Sequence, residues 1–155
     1  MKVEARLEEL GLKLPETWTP PANFVKAVRT GNLFFVAGHG PRRQDGTHIV
    51  GKVGADLTLE EGYAAARLVA LAMLASLKEE IGDLDTVTRI VKLLGMVNCT
   101  SDFTDQPKVI DGASDLLVAV FGEAGKHARS AVGMMALPNN IAVEIEMIVE
   151  VDGSK

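Results

Sequence analysis

The chain has 155 residues, the size of one ordinary domain, and is too short for two full enzyme domains. Its 47% apolar and 24% charged residues can build a packed core and exclude a disordered chain. Sixteen Lys and Arg against 21 Asp and Glu leave a net charge of −5, with only 5% aromatics; a nucleic-acid surface is instead basic and offers rings for stacking. Residues 3–10 suit a short charged helix broken by Gly11, and this amphipathic start lacks the apolar core of a signal peptide. Thr19 to Asn23 reads as a loop. Phe24–Arg29 and Leu33–Ala37 flank Thr30-Gly31-Asn32, the chemistry of a hairpin turn. The second run is apolar at every position, which predicts a central strand covered on both faces. A weaker strand around Thr47–Val53 follows the turn signal Asp45-Gly46.

Thr58-Leu59-Glu60-Glu61 is a capping box, so a helix opens there and runs to about Ile81, where Gly82 supplies the left-handed stop. Between Gly62 and Leu77 only Arg67 is charged. That stretch falls short of the ~20 residues of a membrane span, and these features point to a cytoplasmic protein without a membrane partner. A helix apolar on several faces is buried on several sides, which in so small a domain hints at cover from another subunit. Val87–Val97 is the next strand. Pro107 suits the first turn of a second long helix, whose apolar positions Val109, Ile110, Ala113, Leu116, Leu117, Val120 and Phe121 keep the 3.6 period. Ala128–Leu137 reads as a buried strand, Pro138-Asn139-Asn140 as a turn, and Ile141–Val151 as an alternating strand. The order is β-β-β-α-β-α-β-β: an α+β sandwich with one mixed sheet under two helices, in a single domain over 1–155 with residues 1–20 as an N-terminal extension.

Common enzyme fingerprints are absent: no Gly-rich phosphate loop, no G-x-S-x-G and no H-E-x-x-H. His39, His48 and His127 lack metal-ligand spacing and read as surface or hydrogen-bonded residues, and lone Cys99 as a structural thiol. Two positions stand out. Arg129 opens an otherwise apolar strand and is followed on its own face by small Ala131 and Gly133. It either snorkels to the sheet edge or faces a pocket, where its planar fork would hold a small carboxylic acid. Glu144 lies between Val143 and Ile145, in the phase shared with Glu146 and Glu150, which reads most simply as the solvent-facing side of the strand.

The stretch Ala128-Arg129-Ser130-Ala131-Val132-Gly133, followed by Ala136-Leu137-Pro138 and Val143-Glu144-Ile145-Glu146, closely resembles the C-terminal signature of the Rid family, the YjgF-type reactive intermediate deaminases. Older names for the group mention an endoribonuclease. The resemblance spans residues 24–151, with Gly31-Asn32 and Ala37-Gly38 matching the early hairpin, and the chain looks like a longer branch. It implies a homotrimer of the chorismate-mutase-like fold with clefts between subunits, and hydrolysis of enamines or imines to 2-oxo acids and ammonia. Arg129 would hold the substrate carboxylate, Glu144 would position or activate water, and backbone groups near Gly38 and Ser130–Ala131 would complete the cleft. Such hydrolysis needs no cofactor and no metal. Several positions depart from the better-known deaminases: Ala37 replaces a serine, Phe24 a tyrosine, Ala131 a cysteine and Asp111 an asparagine. An acid at Asp111 would repel a carboxylate or serve an amino group.

Three functions therefore stand open: an imine deaminase acting on a small carboxylate, a trimer that binds such a metabolite without turnover, and a ribonuclease, which the charge disfavours. If the last two strands form a hairpin across Pro138–Asn140, Arg129 lies opposite residue 149 or 150. Glu144 is then ~17–20 Å away along the strand, and the two residues could meet only across a subunit boundary.

Overall fold

The computed structural model describes residues 2–153. In chain order it contains α1 (Lys2–Glu9), β1 (Ala27–Thr30), β2 (Leu33–His39), α2 (Leu59–Ile81), β3 (Val87–Asn98), α3 (Gln106–Phe121), β4 (Ala128–Met134) and β5 (Val143–Val151). The five strands form one mixed sheet in the order β1-β2-β5-β3-β4, an α+β, chorismate-mutase-like architecture. Short 3₁₀ turns cover 84–86, 122–125 and 138–140.

Local chemistry explains most boundaries. The Thr58 hydroxyl accepts from the Glu61 amide while the Glu61 side chain accepts from the Thr58 amide, closing the box that starts α2. Gly82, at φ 83°, ends it in a conformation that disfavours a side chain. Thr30 pairs with Leu33 across a two-residue turn in which Gly31 takes φ 57°. On β5, Val143, Ile145, Met147, Val149 and Val151 are buried beneath the helices, and the intervening residues face the other way.

Helices α2 and α3 pack together on one face of the sheet. Gly112 lets them approach: a Cβ there would stand 2.1 Å from the Tyr63 carbonyl oxygen. Val69, Met73, Leu74 and Leu77 of α2 are fully buried within this single chain. The apolar character of α2 is thus satisfied by β2, β5 and α3, and calls for no second subunit. The N-terminal helix is docked as well. Val3 and Leu7 are buried, the Lys2 and Val3 amides donate to the Asp85 carboxylate, and Arg6 donates to the Ala119 carbonyl.

Four expectations are corrected. Residues 47–53 make only single bridges, Arg42 to His48, Val50 to Ile141 and Val53 to Leu57 and Cys99, because the segment crosses the end of the sheet rather than running along an edge. β2 is an interior strand, paired with β1 and β5, yet only one of its faces is covered: Phe34 and Val36 are buried, whereas Phe35 is 43% exposed. β4 is an edge strand with no buried residue. Finally, β4 and β5 do not pair. The α3 crossover lays β4 parallel to β3, and β3 separates it from β5. Buried Asn98 fastens the returning chain, donating to the Ile141 carbonyl (3.1 Å) and the Asn140 side chain (3.0 Å) and accepting from Lys52 (2.8 Å).

The face opposite the helices carries Val28, Phe35 and Val132, all at least 40% exposed, beside Leu94 and Ile148. No helix among the described residues is long and apolar enough to cross a membrane.

Candidate functional site

Arg129 leaves β4 on the side of the helices and folds onto α3. Its Nη1 lies 2.8 Å from Asp111 Oδ1 and 3.0 Å from Ser114 Oγ, and Nη2 donates to the Pro107 carbonyl at 3.2 Å. Pro107, Asp111 and Ser114 follow helical spacing, so one stripe of α3 grips the guanidinium. Behind it, His127 Nδ1 is 2.7 Å from the Gly125 carbonyl and Nε2 is 2.8 Å from Ser114 Oγ. A carbonyl only accepts, so Nδ1 carries the proton; the neutral ring then accepts the Ser114 hydroxyl hydrogen at Nε2. Burial holds the His127 imidazole below its ordinary range, with Arg129 pushing the same way against the Gly125 hydrogen bond. A relay of His127, Ser114 and Asp111 therefore fixes Arg129.

Glu144 occupies the other phase of its strand, away from Val143 and Ile145. Its half-buried side chain lies against Gly38, where a Cβ would come within 2.8 Å of Oε2. Glycine at 38 is what leaves room for this carboxyl. Burial, and secondarily the charge of Glu146, push the Glu144 carboxyl above the usual carboxylate range. Glu144 borders a cleft of about 770 Å³, whose wall includes Trp18, Phe24, Gly38, His39, Val50 and Ile141. His39 forms its floor: Nδ1 is 2.6 Å from the Ala37 carbonyl, Nε2 is 2.8 Å from Ser76 Oγ, and burial keeps the imidazole below its ordinary range. The Trp18 ring stands edge-on to His39 with centroids 5.9 Å apart, and tilts against Phe24 at the same distance.

The sequence-derived candidates thus fall into two groups. Arg129 and Asp111 form one; Glu144, Gly38 and Phe24 form the other. Ala37 lies beside the uncovered sheet face near Glu146. Ser130 is exposed, in the strand phase opposite to Arg129, and Ala131 packs against the core, so neither adds a side chain to the Arg129 group. In the sheet register, Arg129 pairs with Leu93, and Leu93 with Met147. Glu144 lies three residues farther along β5, about 10 Å along the strand and about 10 Å across two strand spacings. It also lies on the opposite face. The hairpin geometry, with Arg129 opposite residue 149 or 150, is replaced by this arrangement.

Sequence reasoning left Ser114 out and read His127 as a surface or hydrogen-bonded residue, which its bonds to Gly125 and Ser114 bear out, without placing it beside Arg129. Both positions carried a signal, since Ser114 follows Asp111 by three helical positions and His127 precedes Arg129 by two strand positions. Trp18 and His39 carried none, since only the folded path of residues 12–26 brings the indole to β2. No cluster of three or more His, Cys, Asp and Glu suited to a metal occurs among the described residues.

Comparison with known proteins places this geometry in context. Residues 4–151 match the family described as "YjgF/chorismate mutase-like, putative endoribonuclease". The chain is 45% identical over 152 residues to protein TCP17 of Trypanosoma cruzi, covering 97% of this chain and 95% of that protein. It is 43% identical to Atu1372, a protein of unknown function from Agrobacterium tumefaciens, with a TM-score of 0.91 over 97% of this chain and 92% of that one. A structure from Shewanella oneidensis described as a putative endoribonuclease is 36% identical, with a TM-score of 0.94 over 97% and 100% of the two chains.

Proposed function

On the premise that the chain belongs to the YjgF family, the group that includes the Rid proteins, we propose that it hydrolyses 2-imino acids to 2-oxo acids and ammonia at a cleft between subunits of a homotrimer. The observation that carries this reading is the half-buried Glu144 carboxyl, set against Gly38 beside a cleft and held above the usual carboxylate range. A carboxyl so placed exchanges protons closer to neutral pH than a free glutamate, as a general acid–base group requires.

The chemistry balances without a cofactor. Arg129 binds the substrate carboxylate through its planar fork. Glu144 takes a proton from water as the water oxygen bonds to the imine carbon, and returns it to the nitrogen. The C–N bond then breaks, ammonia leaves, and the hydroxyl proton is lost as the carbonyl forms. Positioning and proton transfer supply the rate enhancement, because a protonated imine carbon is already electrophilic.

Arg129 and Glu144 face opposite ways in one chain, so the site requires Arg129 of one subunit and Glu144 of the next. The uncovered apolar sheet face with Val28, Phe35 and Val132 supports association, since exposed apolar surface of this kind marks contact sites. The test is ammonia release from 2-imino acids generated in situ by an amino-acid oxidase. Wild type accelerates it and Arg129→Ala does not. Equal acceleration by Arg129→Ala removes the proposal, and carboxylate binding without any acceleration favours a non-catalytic metabolite-binding trimer.

A further inference from the structure

The cleft beside Glu144 is much larger than a three- or four-carbon imino acid. Its volume of about 770 Å³ falls within the ~300–1,000 Å³ range of sites that enclose drug-sized ligands. Most of its exposed wall is apolar, from Trp18, Pro21, Phe24, Val50, Pro138 and Ile141, and Thr19, Arg42, His48 and Asn139 add polar groups to the lining. Two of these residues offer accessible apolar surface, Phe24 at 46% and Val50 at 51% exposure. The polar residue at the floor, His39, is 2% exposed and has both ring nitrogens engaged. It therefore offers a substrate side chain no free hydrogen-bonding group.

The aromatic wall is also held in place. Trp18 is fixed edge-on to a histidine that is itself locked between the Ala37 carbonyl and the Ser76 hydroxyl, and Phe24 braces the indole from the other direction. Tilted and edge-to-face rings at these centroid distances attract one another beyond their buried area. A preorganised wall loses little entropy when a ligand arrives. Phenylalanine at 24 adds to this wall a ring that carries no hydroxyl.

We propose that this cleft is a side-chain subsite selecting 2-imino acids, and their 2-oxo products, with a large planar apolar side chain, and that Trp18 is its specificity-determining wall. The inference rests on the deaminase reading for its reaction, but its binding preference is measurable without turnover. Once the carboxylate is anchored, a phenyl or indolyl group packs between Trp18, Phe24 and Ile141, and its apolar area leaves water. A methyl group gains little of that burial.

Trp18 is the only tryptophan and lines this cleft, so the emission comes from the cleft wall. The full-length protein is titrated with 3-phenylpropanoate and with propanoate, following indole emission excited at the red edge of its band and, in parallel, heat of binding. The proposal expects saturable change and at least about tenfold tighter binding of the phenyl acid. Trp18→Ala and Phe24→Ala, each checked for native circular dichroism, lose that preference in calorimetry, whereas Trp18→Phe retains most of it. Equal affinity for the two acids, or a preference unchanged in both alanine variants, overturns the proposal. If the preference holds but no imine is hydrolysed, the deaminase reading fails alone. If small imines are hydrolysed and large ones are not preferred, the subsite fails alone.

Discussion

Arg129 lies on the helix side of β4 while Glu144 lies on the uncovered side of β5, so one sheet separates the guanidinium from the carboxyl. The two residues cannot embrace one small molecule within a chain. Each is nevertheless held by its own neighbourhood: Arg129 by Asp111, Ser114 and Pro107 of α3 with His127 behind Ser114, Glu144 by packing against Gly38. The proposed site, assembled from two chains, is the arrangement in which both residues would serve one substrate.

Asp111 already pairs with Arg129, so in the proposed site it would compete with a substrate carboxylate. The pair is partly exposed, with side chains 23% and 45% accessible, so its worth falls in the range of surface ion pairs, about 1 kcal/mol or less. Asp111→Asn is expected to tighten binding of simple carboxylates by up to about fivefold, read by calorimetry. Weaker binding would instead mean that Asp111 contacts the ligand favourably.

In the proposed reaction Ser114 and His127 touch no substrate and serve only to hold Arg129. Removing either leaves a hydrogen-bonding group unpaired, at about 1 kcal/mol, and frees the guanidinium to move. Ser114→Ala and His127→Ala should raise KM about tenfold while changing kcat less, because carboxylate binding loses geometry and the acid–base group does not. Loss confined to kcat would contradict a positioning role.

The sequence made some elements plain and hid others for identifiable reasons. The capping box at Thr58, Gly82 and the alternation of β5 act locally, and the observed boundaries follow them. The Pro138–Asn140 turn looked like a hairpin because a turn carries no information about a third strand inserted between its arms. The all-apolar β2 promised cover on both faces, yet the chain supplies helices to only one. Arg129 and Glu144 were visible as residues out of place, whereas their separation by the sheet depended on pairings distant in sequence.

Stability should fall in acid through buried His39 and partly buried His127. His39 and His127 are held below the ordinary imidazole value of 6.5, so the unfolded chain takes up protons first as pH falls. Their contribution is complete above about pH 6.5 and is lost as pH drops through the depressed folded values. Glu144 has the opposite sign: its raised folded value means that its contribution is present at low pH and is lost as pH rises from the ordinary 4.5 through that value. Urea midpoints measured across this range should show a flatter acid limb in His39→Gln and a flatter rise-side loss in Glu144→Gln.

Two glycines separate stability from function. Gly112→Ala drives a Cβ into the Tyr63 backbone and should destabilise by about 1–3 kcal/mol, seen as a lower urea midpoint. Gly38→Ala meets only the flexible end of Glu144, so the fold can yield by moving that carboxyl. Its melting temperature should stay near wild type while kcat falls about 10- to 100-fold, the cost of a misplaced acid–base group. An unchanged kcat would mean that Glu144 does not act from its place against Gly38.

The shared site is tested most directly by complementation between Arg129→Ala and Glu144→Gln chains. Each variant alone should be a folded trimer without imine hydrolysis. Unfolded together and refolded at equal proportions, they should regain about a quarter of wild-type activity, because in a ring of head-to-tail interfaces one boundary in four then pairs an intact Arg129 with an intact Glu144. Mixed trimers that form and remain inactive would contradict a site built from Arg129 of one subunit and Glu144 of the next.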